Sequence, residues 1–369
     1  MEKLKKVMLI TICCFVIFVL AMFIMAKCNK KNYTSEEFNQ YLLDASKSYY
    51  KTHKDMLPKN NGGKTNISIS ALVEKQEKYI GKDKTCSGNI EVTNNNGFYM
   101  YSSNINCSDG YKSEKLSAHL TSPDKIVTTG NGVYFINGKY IYRGDSVNNF
   151  LLFNNQLWRI VGVNEDNTIR IIESDYVLKN KKKENLEFKS KRRESVVWDD
   201  RYNTEKDYKY GFNDYVHDNI NSRIKDSLEI IYNSLSDDAK GYVVTQNLCV
   251  GKRSKDASVN DGSIECSNVI NDQYIGLLQL NEYINASLDP TCLSAASVTC
   301  SNYNYLSTFK STFWTITGMS ENTYQVYKVG SRIVSASASS NSTPKVVLNL
   351  SSETSFSSGD GTQENPYKI

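Results

Sequence analysis

Three patterns of apolar and polar residues follow one another along the chain. Val7 to Ala26 (VMLITICCFVIFVLAMFIMA) carries no charge and has the length, roughly 20 residues, that a helix needs to cross a bilayer core. Between Thr34 and His53, the residues Phe38, Tyr41, Leu42, Ala45 and Tyr49 recur at helical spacing behind a capping box made by Thr34 and Glu37, which predicts an amphipathic helix. Beyond Cys86 the runs shorten and alternate, and Asn-Gly or Asn-Asn pairs punctuate them, which predicts hairpins.

The first pattern predicts a membrane anchor. Phe23, Ile24, Met25, Ala26 and Lys27 at its exit lack the small residues of a signal-peptidase site, and Lys27 before Cys28 spoils a lipoprotein signal, so the anchor is expected to stay uncleaved. Residues 1–31 are read as a cytoplasmic stub and transmembrane helix in contact with membrane lipid. Lys3, Lys5 and Lys6 on one side balance Lys27, Lys30 and Lys31 on the other, leaving orientation undecided by charge. Cysteine usage decides it. Outside the apolar run and its exit, Cys86, Cys107, Cys249, Cys266, Cys292 and Cys300 fall into three sequence-local pairs without CxxC spacing, which reads as disulfides in an oxidising, extracellular space.

A second short helix is expected around Ser70 to Ile80, with Leu72, Val73, Gln76, Tyr79 and Ile80 inward and Gly81 as its stop. A type I′ turn at Asn96-Gly97 then sets Cys86 directly opposite Cys107, at a pairing where Cα atoms approach to about 4.5 Å and a disulfide fits. The same register gathers Ile90, Val92, Tyr99, Tyr101 and Ile105 on the cysteines' face; a bulge at Gly88 would break it. The anchor, the helix to His53, and Leu72, Gly81, Lys82-Asp83 and Cys86 to Cys107 together resemble type IV pilins and pseudopilins. The prepilin cleavage signature is missing, since the anchor holds neither Gly nor Glu. Residues 32–115 are therefore expected to be a pilin-like helical stalk with a disulfide-closed hairpin that does not polymerise.

Residues 116–131, with Ser117, Thr121, Ser122, Pro123, Thr128, Thr129 and Gly130, read as a linker to a module spanning 132–369. There Val133–Ile136 and Lys139–Tyr142 flank Asn137-Gly138, Phe150–Phe153 and Gln156–Val163 flank Asn154-Asn155, and Ile169–Ile172 follow. Trp158, Ile160, Val163, Ile169 and Ile171 are the expected core. A helix is expected from Ile220 to Leu235. The motifs Tyr142-Arg143-Gly144, Asn148-Asn149-Phe150, Phe153 to Val163 (FNNQLWRIVGV), Ile275 to Tyr283 (IGLLQLNEY), Phe313-Trp314-Thr315, Val346 to Leu350 and Gly359 to Tyr367 resemble an uncharacterised surface-protein module of low-GC Gram-positive bacteria. Ile316 and Thr317 after Trp314, and an insertion from about Tyr176 to Tyr210, depart from it. The resemblance implies an α+β, C-type-lectin-like or formylglycine-enzyme-like scaffold that displays recognition loops; it supplies no active site. The expected fold class is thus α+β behind an N-terminal transmembrane helix.

A net charge of +4 over 369 residues gives no reason to expect a nucleic-acid partner. Arg143-Gly144-Asp145 spells an adhesion motif, which a hairpin connection also accounts for. Lys181 to Lys183 with Lys189, Lys191, Arg192 and Arg193 would suit an anionic cell-wall polymer or simply a solvated loop. Cys249–Cys266 would close a loop holding Arg253 and Asp261-Gly262, and Cys292–Cys300 a shorter one. SxxK recurs at Ser48, Ser122, Ser222, Ser307 and Ser342, too often to inform, and His53, His119 and His217 stand far apart. Asp360, Glu364 and Asn365 are too few for calcium. No catalytic, cofactor or metal residue is assigned. The expectation is a non-enzymatic surface protein recognising a glycan or protein; the alternatives are a cell-envelope enzyme, namely a cell-wall hydrolase or formylglycine-enzyme relative, and a minor pilus-like subunit.

Overall fold

The computed structural model describes residues 32–182, 185–191, 193–205, 211–297 and 299–369. The amino-terminal helix runs Ser35–Thr52, and Thr34 and Glu37 form the expected capping box. It buries Phe38, Leu42 and Tyr50 against a hairpin of Cys86–Asn95 and Phe98–Cys107. Asn96 and Gly97 both take positive φ, and pairing runs in one register from Asn95–Phe98 out to Cys86–Cys107. No bulge interrupts it at Gly88. The Cys86–Cys107 disulfide joins Cα atoms 4.0 Å apart, and Ile90, Val92, Tyr101 and Ile105 are buried on its face with Tyr99 packed beside them.

Two neighbouring segments differ from expectation. Residues 70–80 form two single turns, Ile69–Leu72 and Glu77–Ile80, because Val73 between them adopts the extended backbone that β-branched residues favour. Lys64–Ser68, where no strand was expected, is a third strand on the hairpin.

The larger body is built on a ten-stranded sheet whose centre is Gln156–Val163 beside Ile169–Lys182. Asn154-Asn155 and Asn137-Gly138 make the expected left-handed turns. Trp158, Ile160, Val163, Ile169 and Ile171 are all buried. Val346–Leu350 pairs antiparallel with Ile169–Ile172, and Tyr367–Lys368 returns to lie parallel to Leu151–Leu152. A five-stranded sheet around Phe313–Gly318 completes the body, with Trp314 edge-on to Trp198 at 6.0 Å between ring centres.

The two bodies share the hairpin. Its reverse face carries Met100 into the larger core, while Ser102 Oγ donates to the Glu353 carbonyl (2.6 Å) and Tyr242 Oη to the Tyr101 carbonyl (2.9 Å). Within 116–131, Leu116–Leu120 forms a short helix whose Leu116 and Leu120 are buried in that same core.

The expected α+β class is corrected: the described chain is mostly β-sheet, 36% strand against 21% helix. The transmembrane helix expected at Val7–Ala26 falls outside the described residues, and no helix among those described is long and apolar enough to cross a membrane. Helix was over-assigned at Ile220, which sits in a two-residue strand, so that the following helix begins only at Arg223 behind its cap Ser222. Strand was under-assigned in the insertion, where Ile169–Lys182 pairs with Asn185–Ser190 as a long arm.

In the hairpin, Gly88 leaves no room for a side chain. Its φ is +124°, and a Cβ there would lie 1.9 Å from the Asn104 carbonyl oxygen. Gly88→Ala is expected to destabilise by more than ~1 kcal/mol and by more than Gly97→Ala, whose Cβ meets nothing within 4 Å. Urea midpoints at an unchanged slope measure both; equal midpoints would refute the tight register.

Candidate functional site

The motif residues at the start of the larger body are architectural. Arg159 is buried, donates to Asn149 Oδ1 and to the Val147 carbonyl, and stacks on Phe150, its guanidinium carbon 3.9 Å from the ring centre. Asn149 Nδ2 in turn donates to the Ile160 carbonyl (2.7 Å), and Trp158 Nε1 to the Phe153 carbonyl (3.1 Å). Arg143 donates to the Ser287 carbonyl and lies over Tyr134. Gly144 is buried at φ +103° between the backbones of Ala286 and Tyr305, which leaves only Asp145 of that motif exposed. In the basic run, Arg193 pairs with the buried Glu173 at 2.6 Å, Lys189 and Lys191 are exposed, and Lys183 and Arg192 lie outside the described residues.

A second buried arginine organises a loop. Cys249 and Cys266 are disulfide-bonded, and inside the ring they close, Arg253 and Glu265 form an ion pair with both side chains 0% exposed. The guanidinium also donates to the carbonyls of Ala257 and Val259 and to Asn260 Oδ1, so one side chain gathers three points of the loop. Burial pushes the Glu265 carboxyl up, while Arg253 and the backbone N–H of Asn281 draw it back down. The fork of five donors makes Arg the residue suited to this task.

That loop is one wall of a cleft of about 560 Å³. The other walls are the strand pair around Ile136 to Tyr142, the turn Asn164 to Asp166, and the helix Leu280–Asn285. On its floor Arg170 is gripped by both carboxylate oxygens of Glu282 and donates to Gln246 Oε1 at 2.6 Å. A guanidinium can only donate, so this bond fixes which end of the Gln246 amide faces it. Its Nε2 is left buried without a partner, as are Asn281 Oδ1 and Tyr305 Oη, all three on cleft-lining residues. Gln246 and Asn281 are each 7% exposed and Tyr305 fully buried; burial raises the Tyr305 phenol, which stays a donor. Such atoms cost free energy unless something hydrogen-bonds them.

The patterned nucleophile candidates do not assemble. The hydroxyls of Ser48, Ser122, Ser222, Ser307 and Ser342 each donate to a backbone carbonyl. His217 does have carboxylate neighbours that sequence reading missed, Asp214 at 3.0 Å and Asp218 at 3.3 Å, yet among the described residues no hydroxyl or thiol is bonded to it. The spacing Asp-x-x-His was the available signal. His119 is held by Glu114 and Lys125, and His53 by Thr52 and the Tyr49 carbonyl. Asp289, Cys292 and Cys300 stand close enough to share an ion, but Cys292 and Cys300 are joined as a disulfide and offer no thiolate. Asp289 instead clamps that loop by accepting from Thr291 and Ser301. Asp360 accepts from Thr362 in a polar turn.

No protein-family model, curated protein or solved structure matches the chain.

Two outcomes follow from these side chains. Arg253→Met strands a buried carboxylate and is expected to cost about 3–5 kcal/mol, with partial recovery when Glu265→Leu is added. A single variant within ~1 kcal/mol of the parent in urea would show that the pair does not hold the loop. His119 is lowered from the ordinary histidine value by burial first and by Lys125 second. The unfolded chain therefore binds its proton more readily, and stability should fall as pH drops below about 6.5. His119→Gln should flatten that part of the profile, read from melting temperatures between pH 5 and 8; an unchanged slope would assign the dependence elsewhere.

Proposed function

We propose that this chain is a non-enzymatic recognition protein, working outside the reducing cytoplasm at a bacterial surface, that holds a hydroxyl-rich ligand, a glycan, in the cleft. The observation that carries this is that three residues lining it each keep a buried polar atom without a partner: a donor on Gln246, an acceptor on Asn281 and the phenol of Tyr305. A sugar hydroxyl both donates and accepts, so one ligand chemistry suits all three. Three disulfides support the compartment, since cytosolic thiols are kept reduced. The resemblance read in the motifs Phe153 to Val163 and Ile275 to Tyr283 to a Gram-positive surface module is in keeping with that setting. An envelope enzyme is less well supported, because Glu282, the most deeply placed carboxylate of the cleft, is committed to Arg170.

The test is a glycan array probed with the full chain, its disulfides intact, beside Asn281→Ala. A specific glycan should be retained, and the variant should weaken it at least about tenfold, the scale of one lost buried hydrogen bond, with little change in melting temperature. Absence of any glycan signal, or one indifferent to Asn281, would overturn the proposal.

A further inference from the structure

The rim of the same cleft carries a charge pattern that the hydroxyl argument leaves unused. Among the charged residues lining it, Glu165, Asp166, Asp261 and Glu282 face only Lys139 and Arg170, four carboxylates against two cations. The chain as a whole has a net charge of +4, so the excess runs against its overall balance. Arg170 and Glu282 neutralise each other. Among the described residues, Glu165, Asp166 and Asp261 take part in no ion pair. Asp166 accepts from the Thr168 hydroxyl and N–H, and Asp261 from those of Ser263, bonds that hold the Asp261 carboxyl below the usual range. These bonds fix where the carboxylates sit without cancelling their charge.

The carboxylates do not converge as metal ligands do. Among the described residues, the group of acidic, His or Cys side chains near enough to share one ion is Asp289 with the Cys292–Cys300 disulfide, and it is not in the cleft. A cation matched to this rim is therefore an organic one, and the same ligand must still offer hydroxyls to the buried Gln246, Asn281 and Tyr305. Building on the glycan reading, we propose that the cleft selects amine-bearing sugars, de-N-acetylated hexosamine units whose ammonium faces Glu165 and Asp261 while their hydroxyls meet the buried amides and phenol. An N-acetylated or neutral sugar offers the same hydroxyls and gains nothing from the rim.

Calorimetric titration of the full chain, disulfides intact, with β-linked tetramers of glucosamine, N-acetylglucosamine and glucose tests this. The glucosamine tetramer should bind about tenfold more tightly than either neutral tetramer at low salt, and the advantage should shrink as salt rises, as expected for partly exposed charges. Glu165→Gln with Asp261→Asn, which keeps the turn acceptors, should erase the preference yet leave weak binding to all three. Equal binding of the three tetramers by the parent, or a preference that survives in the double variant, overturns the amine selection while the glycan reading stands. Failure of every tetramer to bind, with Gln246→Leu equally silent, brings down both.

Discussion

The cleft depends on one interaction that is costly to make, the Arg253–Glu265 pair sealed from solvent. Removing two charges from water is repaid only when good geometry and further hydrogen bonds accompany the pair. Here most of that repayment is visible: the two terminal nitrogens of the guanidinium meet Glu265, two carbonyls and Asn260, Glu265 also accepts from Asn281, and Nε is left buried without a partner. The pair therefore links the stapled loop to the first turn of the helix Leu280–Asn285, the two walls that must keep a fixed separation. The Cys249–Cys266 bond shortens the loop, but the ion pair gives it shape.

A second buried arginine works alongside the first. Arg170 is clamped by Glu282, on the helix whose Asn281 N–H binds Glu265, so the floor and the walls are joined through neighbouring residues. Arg170, which can only donate, orients the Gln246 amide and leaves its Nε2 without a partner. The Asn281 backbone is fixed by Glu265 from the neighbouring wall.

Local features were legible in the sequence and distant ones were not. The hairpin register followed from Asn96-Gly97 and two cysteines, because turn chemistry and a disulfide act over a few residues. Gln156–Val163 was read with its true bounds because an Asn-Asn turn opens it and the polar turn after Val163 closes it, although its burial is nearly continuous. The cleft was hidden because Ile136, Arg170, Gln246, Asp261 and Glu282 come from five separated segments, and no periodicity connects them. IGLLQLNEY was noted as a motif and Arg253 as a loop residue without roles, since burial, which gives both their meaning, is a tertiary property. Ile220 was misread as helical because its spacing to Ile224 imitates one turn, although the cap at Ser222 makes the helix start later.

The sharing of the hairpin between two cores also sets an order of events. Its helix-facing side can close early, from contacts within residues 35–107. Its other side waits for Glu353 to reach Ser102, 251 residues further on. Closing so long a loop adds little to the equilibrium cost, because that cost grows only logarithmically with length, but it delays the search. The amino-terminal body must therefore spend much of synthesis with Met100 and Ser102 uncovered. In that interval the small polar Ser102 on this face, in place of a larger apolar residue, limits what else can adhere to it.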